Sequence, residues 1–121
     1  MIRIVKISTN LMKIERHCDI DKDFKKLKRF QAPQESLEAW ERLFCLKGYR
    51  ETPGIEQYPG FGGEEIYKAR VVPLKENCGK SHGYRLIFKL VSDDTILLIV
   101  FSRHGAYNSE KELIDIIKER L

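Results

Sequence analysis

The sequence predicts an α+β fold: a small, mostly antiparallel sheet with an N-terminal helical hairpin and a C-terminal helix. Three observations predict it. Two stretches with apolar residues at helical spacing follow one short alternating stretch near the start. Three stretches rich in β-branched and aromatic residues lie between positions 66 and 103. A last helical pattern with its own cap closes the chain. The predicted order is β-α-α-β-β-β-α in one domain spanning residues 1–121. A chain of this length can bury roughly two thirds of its unfolded surface, enough for one core.

Leu11 to Arg16 alternates weakly and reads as a first strand, and Ile2 to Ile7 also reads as extended. Met12 offers an alternative start, which would make residues 1–11 an N-terminal extension. Asp19 to Phe30 is predicted helical: Asp19 and Asp21 suit its N-terminus, and Ile20, Phe24, Leu27 and Phe30 mark one face. Pro33 to Lys47 is the second helix, with Leu37, Trp40, Leu43 and Phe44 on one side and Gly48 placed to stop it. The short break implies an antiparallel hairpin. Gly48 to Gly63, with five glycines and two prolines, reads as a long loop. The strands are Ile66–Val72, Tyr84–Val91 and Thr95–Arg103, the last two joined by a tight turn at Ser92-Asp93-Asp94. Asn108 or Ser109 caps the final helix, and Ser109 with Glu112 has capping-box spacing. The helices are expected on one face of the sheet, an economical way to close it.

Composition excludes several classes. With 42% hydrophobic and 33% charged residues, the chain is not disordered as a whole. Cys18, Cys45 and Cys78 are odd in number and widely spaced, against a disulfide framework. No apolar run approaches the ~20 residues of a spanning helix, and MIRIVKISTN lacks a secretory h-region. The expected location is cytoplasmic, with no membrane partner. The net charge of +4 is unevenly placed. Ile66 to His104 holds seven Lys/Arg against three Asp/Glu, whereas the first 65 residues hold twelve against eleven. The excess therefore lies in the predicted sheet, and a basic excess points to an anionic partner.

Strand side chains alternate between faces. The apolar sets Tyr67, Ala69, Val71 and Tyr84, Leu86, Phe88, Leu90 belong under the helices. Lys68, Arg70, Arg85 and Lys89 then share the other face, with no acid among them on these two strands. A solvated sheet face is the plainer account of such a pattern. The clustering of four cations adds the account in which they meet an anion.

The run IYKAR, a loop ending in GKSHGYRLIFKL, and then TILLIVFSRHGAYNSEKEL resemble the C-terminal half of RelE-like toxins, a superfamily with ParE-like and HigB-like members. KDFKKLKRF and the helix after it are similar to that family's helical hairpin. The resemblance covers roughly Leu11 to Leu121 and is most specific in a cationic strand followed by Gly-Tyr-Arg. It implies a type II toxin that cleaves mRNA in the ribosomal A site without metal or cofactor and is silenced by a cognate antitoxin protein. By position it implies a catalytic set of Lys68, Arg70, Arg85, Arg103, His104 and Tyr107, with Lys89 joining Lys68, Arg70 and Arg85 in RNA binding. Three departures stand out: the loop Pro73 to His82 is longer than in compact members, the Met1–Leu11 extension has no place in the pattern, and His104 stands where an arginine is expected. They keep two alternatives open. One is a ParE-like toxin that binds a protein target such as a topoisomerase. The other is an RNA- or partner-binding module that has lost the chemistry.

The residue types suit the implied reaction. A ribose 2′-OH attacking the adjacent phosphate needs a base, charge stabilisation and a proton donor for the leaving oxygen. Arg70 and Arg85 would hold the phosphate in bidentate fashion. Lys68 or His104 would be the base, with His104 also suited as acid. Tyr107 would stack on a base or donate a proton. Weaker motifs are set aside. Cys78-Gly79-Lys80-Ser81 resembles the end of a P-loop, but the glycine required five residues earlier is Leu74. Cys78 with His82, and His17 with Cys18, lack a second ligand pair. Trp40 and Phe44 read as core, and Tyr49, Tyr58 and Phe61 read as packing down the Gly-rich loop, with stacking on bases as the alternative.

Overall fold

The computed structural model describes residues 12–75 and 83–121. Its elements are β1 (Lys13–Arg16), α1 (Ile20–Lys26), α2 (Pro33–Glu51), β2 (Ile55–Gln57), β3 (Ile66–Val71), β4 (Tyr84–Ser92), β5 (Thr95–Arg103) and α3 (Glu110–Arg120). The strands form one sheet in the order β1-β5-β4-β3-β2. β1 runs parallel to β5 and every other pairing is antiparallel. The α+β class, the two N-terminal helices expected as a hairpin, the β4–β5 hairpin and the final helix are present. Residues 1–11 and the Cys78 and His82 motifs lie outside the described residues.

Four local differences have physical causes. The Gly-rich stretch contains β2, expected as loop. Three residues are too few to show a period, and β3 recruits them through the pairs Ile55–Ala69, Glu56–Lys68 and Gln57–Tyr67. α1 closes at Leu27, whose N–H reaches the Asp23 and Phe24 carbonyls, so Phe30 lies in the turn beyond. α2 bends where a stop was expected: Gly48 adopts φ 75°, ψ 175°, and one more turn follows. The capping box is half formed. Ser109 Oγ accepts the Glu112 N–H at 3.1 Å, while Glu112 reaches back to Asn108 rather than to Ser109.

The layer arrangement corrects the expectation of helices on one face. α1 and α2 cover the face carrying Ala69, Val71, Tyr84, Leu86 and Phe88, and add Ile20, Phe24, Leu27, Leu37, Trp40 and Phe44 to one core. α3 crosses to the other face. There Leu113 and Ile117 pack with Ile66, Ile87, Ile99 and Val100, and the Gly-rich loop folds over them through Tyr58 and Phe61. Ile66 and Ile87 share a face with the cations, and two buried isoleucines call for a cover.

Register decides which β5 residues face which layer. Ile87 pairs with Val100 but Phe88 pairs with Leu98, so Ile99 is the extra residue of a β-bulge. Ile99 and Val100 both reach the α3 core, whereas Leu98 and Phe101 reach the helical-hairpin core. Past the bulge the parity of β5 is inverted.

β1 pairs only with Thr95–Leu98 of β5. One backbone bond and two side chains continue the ladder beyond it. The His17 backbone N–H donates to Leu98 O at 2.8 Å, Arg120 Nη1 donates to Ile99 O at 2.8 Å, and Asp23 Oδ2 accepts the Phe101 N–H at 2.9 Å. Arg120 grips Asp23 with both terminal nitrogens, at 2.9 Å each. The pair wraps the sheet edge and ties α1, on one face, to α3, on the other. It satisfies backbone groups that an uncovered edge would leave open.

Candidate functional site

Lys68, Arg70, Arg85 and Lys89 share one sheet face, as alternation predicts. The register sets Arg70 directly opposite Arg85, Lys68 opposite Ile87, and Ile66 opposite Lys89. Arg70 gives its N–H to Gly54 O, away from β4. Arg70 and Arg85 are therefore a non-hydrogen-bonded pair, the kind whose Cα atoms approach to about 4.5 Å. Like charges placed directly opposite destabilise a sheet. Gly83 explains why the Gly-Tyr-Arg stretch starts with glycine: a Cβ there would lie 2.4 Å from Val71 O, at the point where β4 meets β3.

Lys68, Arg70 and Arg85 line a small cleft with Gly54, Glu56 and Ala69. Among the described residues, neither Lys68 nor Arg70 has an ion-pair partner. The Lys68 ammonium sits 5.1 Å from the centre of the Tyr58 ring, a contact that favours a cation. Arg85 is about one-third exposed and its Nη1 is 3.5 Å from Glu110 Oε1, at the first turn of α3. Tyr58 donates its hydroxyl proton to the other oxygen, Glu110 Oε2. Tyr107 packs against the apolar patch on this face. Burial is the main cause holding the Tyr58 and Tyr107 phenols above their ordinary range, and for Tyr58 the hydrogen bond to Glu110 adds to it. Both rings thus stay protonated at neutral pH.

The structure brings together Lys68, Arg70 and Arg85, packs Tyr107 against the apolar patch on the same face, and separates the other expected site residues from them. Arg103 is a correction. It pairs with Tyr84 and lies on the helical-hairpin side, 92% buried, with its guanidinium 4.3 Å from the Phe30 ring centre and 5.0 Å from that of Tyr84. The bulge at Ile99 is the cause, because without it the odd-numbered residues of β5 would keep to the cationic face. Ser102 takes the place beside Arg85 instead. His104 is exposed in the turn after β5, with no described contact to the cluster. Lys89 is four residues from Arg85, about 13 Å along an extended strand, and is paired with Glu64.

Three contributors were missed. Glu56 enters with β2, Glu110 with α3, and Tyr58 with the loop that packs down as expected. The expectation that no acid joins the cations holds for β3 and β4 alone. The helix-cap pattern foretold Glu110 as a first-turn residue, but nothing in it says which strand α3 crosses. On the far side, His17, Cys18 and Asp19 have donor atoms within 4.8 Å of one another. They are already engaged: His17 Nδ1 accepts the Asp19 N–H at 3.0 Å, and the Asp19 carboxylate faces Lys22 at 3.3 Å and Arg120 at 3.8 Å. Among the described residues, no helix is long and apolar enough to cross a membrane. Comparison of the chain with protein-family models, with curated proteins and with solved structures finds no match.

Proposed function

We propose that this chain is a RelE-like toxin: a ribosome-dependent mRNA endonuclease, working without a metal ion, that a cognate antitoxin protein silences. One observation carries the reading. Arg70 and Arg85 face each other at the closest strand spacing, beside Lys68, in a cleft whose Arg85 also meets the Glu110 carboxylate and, through it, the Tyr58 phenol. Holding like charges this close is unfavourable unless anions offset them; Glu110 reaches Arg85 alone, and a phosphodiester is an anion that two guanidinium forks fit.

In this reading Arg85 and Arg70 hold the scissile phosphate and the charge that builds on it, and Lys68 adds affinity for the RNA backbone. The ribosome supplies the alignment of the 2′-OH with the phosphate, so the protein need supply only charge and proton transfer. An antitoxin segment that folds on binding would cover the cationic cleft.

The test is primer extension on mRNA from translating ribosomes treated with purified protein. Arg85→Ala is expected to lower cleavage by about 10²–10³, while ribosome sedimentation and the melting curve change little. The same growth arrest by parent and variant, with no cut mRNA from either, would remove the endonuclease. A toxin that binds a protein target such as a topoisomerase would then be the better account.

A further inference from the structure

We infer that Glu110 is the general base of this reaction, taking the proton of the ribose 2′-OH, and that the Tyr107 phenol supplies the proton to the leaving 5′ oxygen. The inference rests on the endonuclease reading; it moves the base from Lys68 or His104 to Glu110 and keeps Tyr107, already offered as a proton donor, as the acid. The bond from the 2′ oxygen to phosphorus forms as the bond from phosphorus to the 5′ oxygen breaks. One proton passes to the Glu110 carboxylate and one leaves the Tyr107 hydroxyl. The products are a 2′,3′-cyclic phosphate and a 5′-hydroxyl, and exchange with water resets both side chains.

Placement argues for Glu110. Its Oε1 is 3.5 Å from Arg85 Nη1, so a phosphate seated on Arg85 lies beside the carboxylate. Its side chain is 51% exposed, open to a substrate. Tyr58 occupies only Oε2, which leaves Oε1 on the cleft side and fixes the carboxylate's orientation. Of the other expected bases, His104 stands in an exposed turn, and Lys68, although in the cleft, lies over the Tyr58 ring, a contact that favours its charged form. Charge also moves in the useful direction. Once Glu110 is protonated, its hold on Arg85 weakens, and the guanidinium is released to the charge developing on the phosphate. Tyr107 answers the need for an acid. It packs against the apolar patch that holds Tyr58 and Ile87, on the face that carries Arg85, and burial keeps its phenol protonated.

The experiment uses the full-length protein on programmed ribosomes, following single-turnover cleavage from pH 4.5 upward. Glu110→Gln keeps an acceptor for Tyr58 and is expected to cut cleavage by about 10²–10⁴. It should abolish the fall in rate that the parent shows on the acid side, with ribosome binding and melting temperature unchanged. Glu110→Asp keeps a carboxylate and should retain that acid limb at reduced rate. Tyr107→Phe should be slow on ordinary mRNA but regain the parent's rate on RNA with sulfur at the scissile 5′ position, because a thiolate leaves without a proton. An active Glu110→Gln with an unchanged acid limb overturns the assignment, and so does a faster one, which would make Glu110 a block on Arg85. Failure of sulfur to rescue Tyr107→Phe removes Tyr107 as the acid. A parent that cuts no RNA overturns the endonuclease reading itself, whereas a parent that cuts while Glu110→Gln matches it overturns only the inference.

Discussion

The two faces of the sheet are built from the same strands and treat charge in opposite ways. Under the helical hairpin, Trp40, Phe44 and Phe88 pack ring against ring at 4.9–5.9 Å, and Tyr84 stacks on Phe101 at 4.8 Å. The one arginine on β5 is enclosed there between Phe30 and Tyr84. Under α3 the apolar patch is narrower, with four strand residues, Leu113, Ile117 and two loop rings, and Lys68, Arg70, Arg85 and Lys89 stand around it. An arginine sealed among rings contributes packing. An arginine opposite another arginine, at the mouth of a cleft, is suited to an anion. The face, and not the residue type, decides the role.

That contrast can be broken at its strongest point first. Phe88→Ala removes the ring at the centre of the helical-hairpin core and should cost about 3–5 kcal/mol, read as a large fall in the urea midpoint. Cleavage per folded molecule should be unchanged. A loss of cleavage in the remaining folded fraction would mean that the two faces are not separable.

Asp23→Ala tests the edge where they are joined. It strands Arg120 and leaves the Phe101 N–H without its acceptor. Removing one partner of a largely buried pair costs about 3–5 kcal/mol. Hydrogen exchange should show α3 loosening together with α1, and a purely local loss at α1 would refute the tie.

The smallest effects sharpen the contrast most. Arg103→Ala should destabilise by about 2 kcal/mol, from desolvated cation–π contacts and lost packing. Arg70→Ala should stay within about 0.5 kcal/mol of the parent. It should also shallow the salt dependence of ribosome binding by about one phosphate contact. Equal effects on stability would remove the distinction between the faces.

Much of this was legible in the chain. Period-two alternation in Ile66–Val71 and Tyr84–Val91 is enough to put Lys68, Arg70 and Arg85 on one face, because side-chain direction in a strand depends only on parity. Helical spacing found the hairpin, and Ser109 announced α3. Arg103 was misplaced because a bulge leaves no mark in β-rich sequence such as TILLIVFSR: adding one unpaired residue changes the face but not the propensity. β2 escaped notice because its three residues become a strand only when β3 offers an edge.

Local sequence alone was enough for the three helices, the strands other than β2, and the parity of β3 and β4 that sets the cationic triad. These depend on neighbours within a few residues, where backbone geometry sets direction. The tertiary structure alone decided that α3 crosses to the cationic face, that Glu110 and Tyr58 meet beside Arg85, and that Arg103 is sealed away. Those outcomes turn on long-range choices: which buried isoleucines need a cover, and where a ladder slips by one residue. Such choices are settled by apolar area removed from water and by backbone groups that must find partners, and both are properties of the assembled sheet.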